Sequence, residues 1–168
     1  MRSWAVFDFP VQNALHTLKY RKNMGIADAI ARQMADFVGS LRWDVDLLIP
    51  VPLGKMRLKE RGYNQVALVA RPLAYELGFH YAPHVLWKSR ETRSQVGLNV
   101  SQRRENVSKA YQAEGKVVNG KSVLLMDDVA TTGSTIQSSA EALLSAGAQE
   151  VYAITIARAL SHHDLTRV

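Results

Sequence analysis

Apolar residues recur along this chain in two alternating rhythms. Residues 11–20 and 26–38 place them at helical spacing, with Leu15 and Leu18 in the first segment and Ile26, Ile30, Met34, Phe37 and Val38 in the second. Gly25 and Gly39 bracket the second segment, as expected of helix ends. Residues 45–49 form a continuous apolar run, the helical rhythm returns over 64–77 through Leu68, Leu73 and Leu77, and Gly78 stops it. Further strands are expected at 85–87, 107–111, 123–126 and 151–157, with a helix at 134–146 between the last two. Strands alternating with helices predict an α/β fold: a mainly parallel sheet of about five strands with helices on both faces. The 168 residues contain no internal repeat, low-complexity tract or linker, so a single domain is expected.

The chemistry concentrates in residues 123–135. Val123, Leu124, Leu125 and Met126 suit a strand buried on both faces. Asp127 and Asp128 follow at its carboxyl end, where open α/β sheets bind ligands. After Val129 and Ala130 come Thr131, Thr132, Gly133, Ser134 and Thr135, at the start of the expected helix. The N–H groups and positive dipole end of such a helix receive a phosphate, and carboxylates can accept hydrogen bonds from vicinal ribose hydroxyls. The order therefore suits a sugar phosphate. A plainer alternative is a solvated strand end before a capped helix, with Thr131 or Thr132 as the N-cap. A cap needs only one hydroxyl, however, and two acids gain nothing structurally from crowding one strand end.

A neighbouring pattern points elsewhere. Residues 115–122 satisfy the phosphate-binding expression G-x-x-x-x-G-K-[ST], ending in Gly120, Lys121 and Ser122. A working loop of that kind follows a strand and opens a helix. Here Val117 and Val118 are too few for a core strand, Asn119 and Gly120 read as a tight turn, and Ser122 runs directly into a strand. An ATPase reading therefore fails on context.

Residues 49–65 leave the first core strand at the same sheet edge as the acids. Pro50 and Pro52 stiffen this exit, which continues through Val51, Leu53, Gly54 and Lys55. Gly54 permits close backbone approach, and Lys55, Arg57, Lys59 and Arg61 supply charge suited to a diphosphate. An ordinary solvated basic loop is the competing account of this run.

The 123–135 order resembles the phosphoribosyl diphosphate (PRPP) signature of type I phosphoribosyltransferases, with Ala130 smaller than the usual aliphatic residue. Pro50 through Leu53, followed by Arg61, Gly62, Tyr63, Asn64 and Gln65, is similar to the pattern of the ComF family of competence-associated proteins. A third block agrees, running from Lys88 through Arg90, Arg93 and Gln95 to Leu98, Arg103, Asn106, Ala110 and Tyr111; with the helix end at Leu18, Lys19 and Tyr20, the resemblance spans about residues 7–158. Lys88 stands where arginine is common, Tyr63 replaces a usual phenylalanine, and the amino-terminal four-cysteine zinc module of many members is missing.

This resemblance implies a type I phosphoribosyltransferase fold with a mobile hood loop over 88–106, in which Lys88, Arg90, Arg93, Gln95 and Arg103 supply contacts. It implies that residues 129–135 hold the 5-phosphate, Asp127 and Asp128 the ribose hydroxyls, and residues 51–55 the diphosphate. Asp127 and Asp128 would be the catalytic acids, with Asp127 as base or cation stabiliser. Mg²⁺ is expected as the cofactor, held mostly through substrate oxygens with help from either acid. The balance leans toward a phosphoribosyltransferase that releases diphosphate and is linked to DNA uptake, its acceptor open. The alternative is a non-catalytic factor that binds single-stranded DNA on the same fold. A competence helicase and a second copy in a homodimer are the further partners the resemblance brings forward.

Composition narrows the setting. A net charge of +6 and a pI near 9.7 favour a polyanionic partner, which PRPP and nucleic acid both are. Zero cysteines exclude disulfides and thiolate metal sites, so no zinc is expected. No apolar stretch approaches the ~20 residues of a membrane span. A signal-peptide core is also lacking, which makes a cytoplasmic protein the default. For DNA, basic groups at 19–22, 55–61, 88–93 and 103–104 could follow a backbone. Tyr20, Tyr63, Trp87 and Tyr111 lie beside them, although packing is the commoner role of aromatics. His16, His80, His84, His162 and His163 lack nearby partners for catalysis or metal binding.

Overall fold

The computed structural model describes residues 1–90 and 110–159. Its elements run β1 (Arg2–Val6), α1 (Phe9–Arg21), α2 (Met24–Ser40), β2 (Leu47–Pro50), α3 (Lys55–Arg61), α4 (Gln65–Leu77) and β3 (His80–Tyr81). After these come β4 (Leu86–Lys88), β5 (Tyr111–Ala113), α5 (Gly115–Val118), β6 (Ser122–Ala130), α6 (Ser134–Ser145) and β7 (Glu150–Arg158). Five strands form one parallel sheet in the order β1-β7-β6-β2-β3, and β4 and β5 form a separate antiparallel pair.

The unbroken apolar runs of β2 and β6 are explained by burial on both sides. Leu48, Leu124, Met126, Ile154 and Ile156 pack with Leu15 and Leu18 of α1, Met34 of α2 and Leu73 of α4. The alternate residues Leu47, Ile49, Val123, Leu125 and Ala153 pack on the other face with Ile136 and Leu143 of α6 and with Leu86 and Tyr111. The crossover from β2 to β3 runs through α4 on the first face, whereas that from β6 to β7 runs through α6 on the second. Connections therefore diverge between β2 and β6, and a crevice opens beyond their carboxyl ends.

The helices expected at 11–20, 26–38, 64–77 and 134–146 are all present, each with ends shifted by no more than two residues. Asn23 and Asn64 cap α2 and α4, accepting from the Ile26 and Val66 N–H groups at 3.1 and 3.0 Å. The expected number of sheet strands is right, but their identity is not. Residues 86–88 and 111–113 lie outside the central sheet, while β1 and β3 complete it. Both are short edge strands whose partners come from elsewhere in the chain: β1 pairs with β7 and β3 with β2. The remainder of the strand expected at 107–111 lies outside the described residues. The basic run 55–61 is helical rather than a loop, and Val117 and Val118 belong to the short α5. Neither segment shows an apolar period from which a helix could be read. No described helix is long and apolar enough to cross a membrane.

Leu124 is fully buried at the centre of the sheet. Leu124→Ala is expected to cost about 3 kcal/mol of unfolding free energy in a urea titration, since the sheet cannot collapse around the missing side chain.

Candidate functional site

Strand pairing fixes how the acids are presented. β2 leaves β6 after the Pro50–Met126 pair, with the Val51 N–H making a last bond to the Met126 carbonyl at 2.8 Å. β6 continues beside β7 as far as Ala130. Asp127 and Asp128 therefore lie within the strand rather than after it, along an edge that β2 no longer covers.

Period two then separates them. Asp128 shares the side of Leu124 and Met126, facing α1 and α4. Its Oδ2 accepts from Gln65 Nε2 at 2.9 Å and pairs with Lys19 Nζ at 3.0 Å. Asp127 shares the side of Leu125 and lines a pocket with residues 129–136. The two acids still interact, side chain to side chain and through the Asp128 N–H, which donates to Asp127 Oδ1 at 2.8 Å; the Val129 N–H donates to Asp128 Oδ1 at 2.7 Å. Burial pushes the Asp127 carboxyl well above the ordinary carboxylate range, and the neighbouring Asp128 charge adds to this. Tyr111, buried on the same side, is raised by burial and then by the charge of Asp127.

The pocket wall is the turn from β6 into α6. Gly133, with φ +76, occupies the left-handed conformation at the N-cap, a position that favours glycine. Neither Thr131 nor Thr132 is the cap residue, and no side-chain cap bond closes the helix. Thr132 Oγ1 instead shares a 2.8 Å hydrogen bond with Ser134 Oγ and receives only a long 3.4 Å contact from the Ser134 N–H. The amino end of α6 thus opens into the pocket beside Asp127.

Residues 61–65 brace this arrangement. Arg61 donates to Gln65 Oε1, and Gln65 donates to Asp128. Asn64 Nδ2 donates to the Val51 carbonyl at 2.9 Å, tying the 51–54 loop to the start of α4. The Tyr63 hydroxyl donates to the Leu18 carbonyl at 2.7 Å and accepts from the Lys22 N–H at 3.0 Å, joining the carboxyl end of α1 to the same motif. Val51 and Gly54 are buried, Pro52 and Leu53 half-buried, and Lys55, Arg57 and Lys59 exposed.

The structure therefore brings together the acids, the 129–135 turn, the 51–54 loop and the 61–65 motif. From the hood candidates, Lys88 lies with its Nζ 5.9 Å from the Tyr111 ring centroid and Arg90 is exposed. Arg93, Gln95 and Arg103 lie outside the described residues, as do Arg104, His162 and His163. Tyr111, named above as a stacking candidate, is buried. His16, His80 and His84 are exposed. Lys121 of the apparent nucleotide loop pairs with Asp46 at 3.3 Å at the amino end of β6, the end opposite the acids.

Lys19 is the residue that sequence reasoning did not assign to the site. Its signal was a cation four residues after Leu15 and next to Leu18, on the buried stripe of α1, where an ammonium requires a counter-ion. Among the described residues no three His, Cys, Asp or Glu cluster to hold a metal. The carboxylates are hard oxygen donors that suit Mg²⁺, but they are too few to complete its coordination without ligand oxygens.

Comparison with known proteins agrees with this geometry. The phosphoribosyl transferase domain family matches residues 16–166. DNA utilization protein YhgH of Salmonella typhimurium is 34% identical over 156 residues, covering 90% of this chain and 68% of that protein. Competence protein F of Haemophilus influenzae is 33% identical over 116 residues, covering 68% of this chain and 51% of that protein. An adenine phosphoribosyltransferase from Thermoanaerobacter pseudethanolicus superposes with a TM-score of 0.54 at 21% identity, covering 83% of this chain and 71% of that one. The architecture is thus the type I phosphoribosyltransferase fold. The chain belongs to the phosphoribosyl transferase domain family and, within it, to the ComF proteins.

Because the Asp127 pKa is raised on folding, its contribution to stability is complete below the ordinary carboxylate pKa and is lost as pH rises through the folded value. Asp127→Asn removes that loss. It should raise Tm by about 3 °C at neutral pH, with the gain vanishing near pH 4, in melting curves taken across that range.

Proposed function

We propose that the crevice binds PRPP and that the chain is a phosphoribosyltransferase that releases diphosphate, acting in the handling of DNA during competence. The observation that carries this reading is the pocket of Asp127 and residues 129–136, where the amino end of α6, with glycine as its cap residue, adjoins a carboxylate. Phosphate favours such a helix end, because N–H donors and the helix dipole converge there. The 5-phosphate then occupies residues 131–135, and the ribose lies over the exposed edge of β6. The names of the relatives, DNA utilization protein and competence protein, support the cellular setting.

Displacement of diphosphate from ribose C1 passes through an oxocarbenium-like state, so catalysis is mainly electrostatic. Asp127 lies on the pocket side, where its carboxyl, held toward the neutral form by burial, can hydrogen-bond a ribose hydroxyl. As it ionises it can also stabilise the cationic sugar. The 51–54 loop and the α3 cations Lys55 and Arg57 stand nearest the expected diphosphate end. Mg²⁺, when bound with PRPP, would supply charge neutralisation to the leaving group, held mostly by substrate oxygens with Asp127 or Asp128 as a further oxygen donor. The acceptor remains open, since no described residue selects a base over an amine.

A basic seam favours a second reading, a non-catalytic single-stranded DNA factor. Tyr20 is 67% exposed, with the His16 ring centroid 4.6 Å away and the Arg61 guanidinium 5.7 Å away; Arg21 and Lys22 follow it in the chain, and Lys55, Arg57 and Lys59 are exposed on the helix that ends in Arg61. Stacking and backbone charge of this kind suit single strands.

Calorimetric titration with PRPP and Mg²⁺ separates the two readings. Wild type should bind, and Asp127→Asn should weaken binding by roughly tenfold or more, through loss of the carboxyl's hydrogen bond to the ribose and of its charge when ionised. Absence of wild-type binding would end the PRPP reading. Binding without diphosphate release across bases and amines, together with steeply salt-dependent oligonucleotide affinity, would favour the DNA factor.

A further inference from the structure

We infer that Lys19 is a positioning residue of the sugar site: the Tyr63 hydroxyl holds the backbone of α1 on either side of it, and its ammonium fixes the Asp128 carboxylate for a ligand diol. The inference deepens the PRPP reading and rests on it. Asp128 is 14% exposed in its side chain and Lys19 28%, so their 3.0 Å pair is shielded from water and constrains both groups. Gln65, itself held by Arg61, takes the same Oδ2, and the Val129 N–H takes Oδ1. The carboxylate is thus gripped from α1, α4 and its own strand, leaving little rotational freedom. Its side chain keeps 14% exposure on the stretch of β6 that β2 no longer covers, which is where a ligand diol can reach it.

Lys19 reaches this point only because α1 ends where it does. The carboxyl end of α1 is exposed at Tyr20, Arg21 and Lys22, and Lys22 adopts a left-handed cap at φ 46. The hydroxyl that tyrosine has and phenylalanine lacks bonds both the Leu18 carbonyl and the Lys22 N–H, on either side of Lys19. Tyr63 lies two residues before Gln65, so one short motif holds Asp128 directly and through α1. A cation in this place also sets the charge balance: with Lys19 present, two adjacent acids need not repel a diphosphate ligand.

The test uses the full chain, with PRPP and with ribose 5-phosphate, each titrated in Mg²⁺ by calorimetry. Both ligands carry the diol, and only PRPP carries the diphosphate. Lys19→Met should weaken both by a similar factor of about ten, and Lys19→Arg should recover most of the loss. Tyr63→Phe should weaken both by about threefold, the loss of a hydroxyl that only positions α1. In an Asp128→Asn background Lys19→Met should add nothing, because the group through which it acts is gone. Loss of PRPP affinity alone would instead mean direct contact with the diphosphate, and additivity with Asp128→Asn would mean independent action. Either result overturns the inference. Wild type that binds both ligands while Lys19→Met leaves both affinities unchanged overturns it while sparing the PRPP reading, whereas wild type that binds neither ends both.

Discussion

The site depends on one mismatch in strand length: β6 runs to Ala130 beside β7, but β2 stops accompanying it at Pro50. The Val51 N–H makes the last bond to β6, and Pro50 and Pro52 on either side stiffen the chain as it turns away. Beyond that point one edge of β6 is bare, and the two acids fall within the bare stretch. Had β2 continued, its backbone would have covered the crevice. The divergence of connections, α4 to one face and α6 to the other, keeps helices from filling the gap that remains.

Strand geometry then divides the labour of the acids. Adjacent residues in a strand face opposite ways, so a single pair of aspartates supplies two environments. Asp127 meets the α6 pocket and Tyr111, where burial favours its protonated form. Asp128 meets α1 and α4, where Lys19 and Gln65 hold it from the other side. Two acids one residue apart are tolerable because burial and the Asp128 charge hold Asp127 toward its neutral form, while Lys19 and Gln65 stabilise the Asp128 carboxylate.

The 61–65 motif explains how distant parts reach this strand together. Asn64 secures the 51–54 loop, Tyr63 secures α1, and Gln65 secures Asp128, all from one helix start. The left-handed Gly62 turn at the end of α3 reverses the chain so that these successive side chains reach different targets. The exposed cations of α3 and α1 flank the crevice, concentrating positive charge beside it in a chain that carries +6 overall.

The sequence by itself determined the α/β class, the four long helices and the order of chemistry in 123–135, because those rest on local period and adjacency. Lys121 was also legible as lying in the wrong context for a nucleotide loop, since a strand follows it directly. Tertiary structure alone decided that β1 and β3 complete the sheet. Their pairing is non-local, and neither two residues of β3 nor five of β1 carry a readable period. It alone decided that Asp127 and Asp128 serve opposite faces, because which face is which depends on where α1, α4 and α6 pack. Lys19 belongs to the same class: α1 places it on a buried stripe, but its approach to Asp128 depends on how α1 packs against Tyr63, more than forty residues away in the turn between α3 and α4.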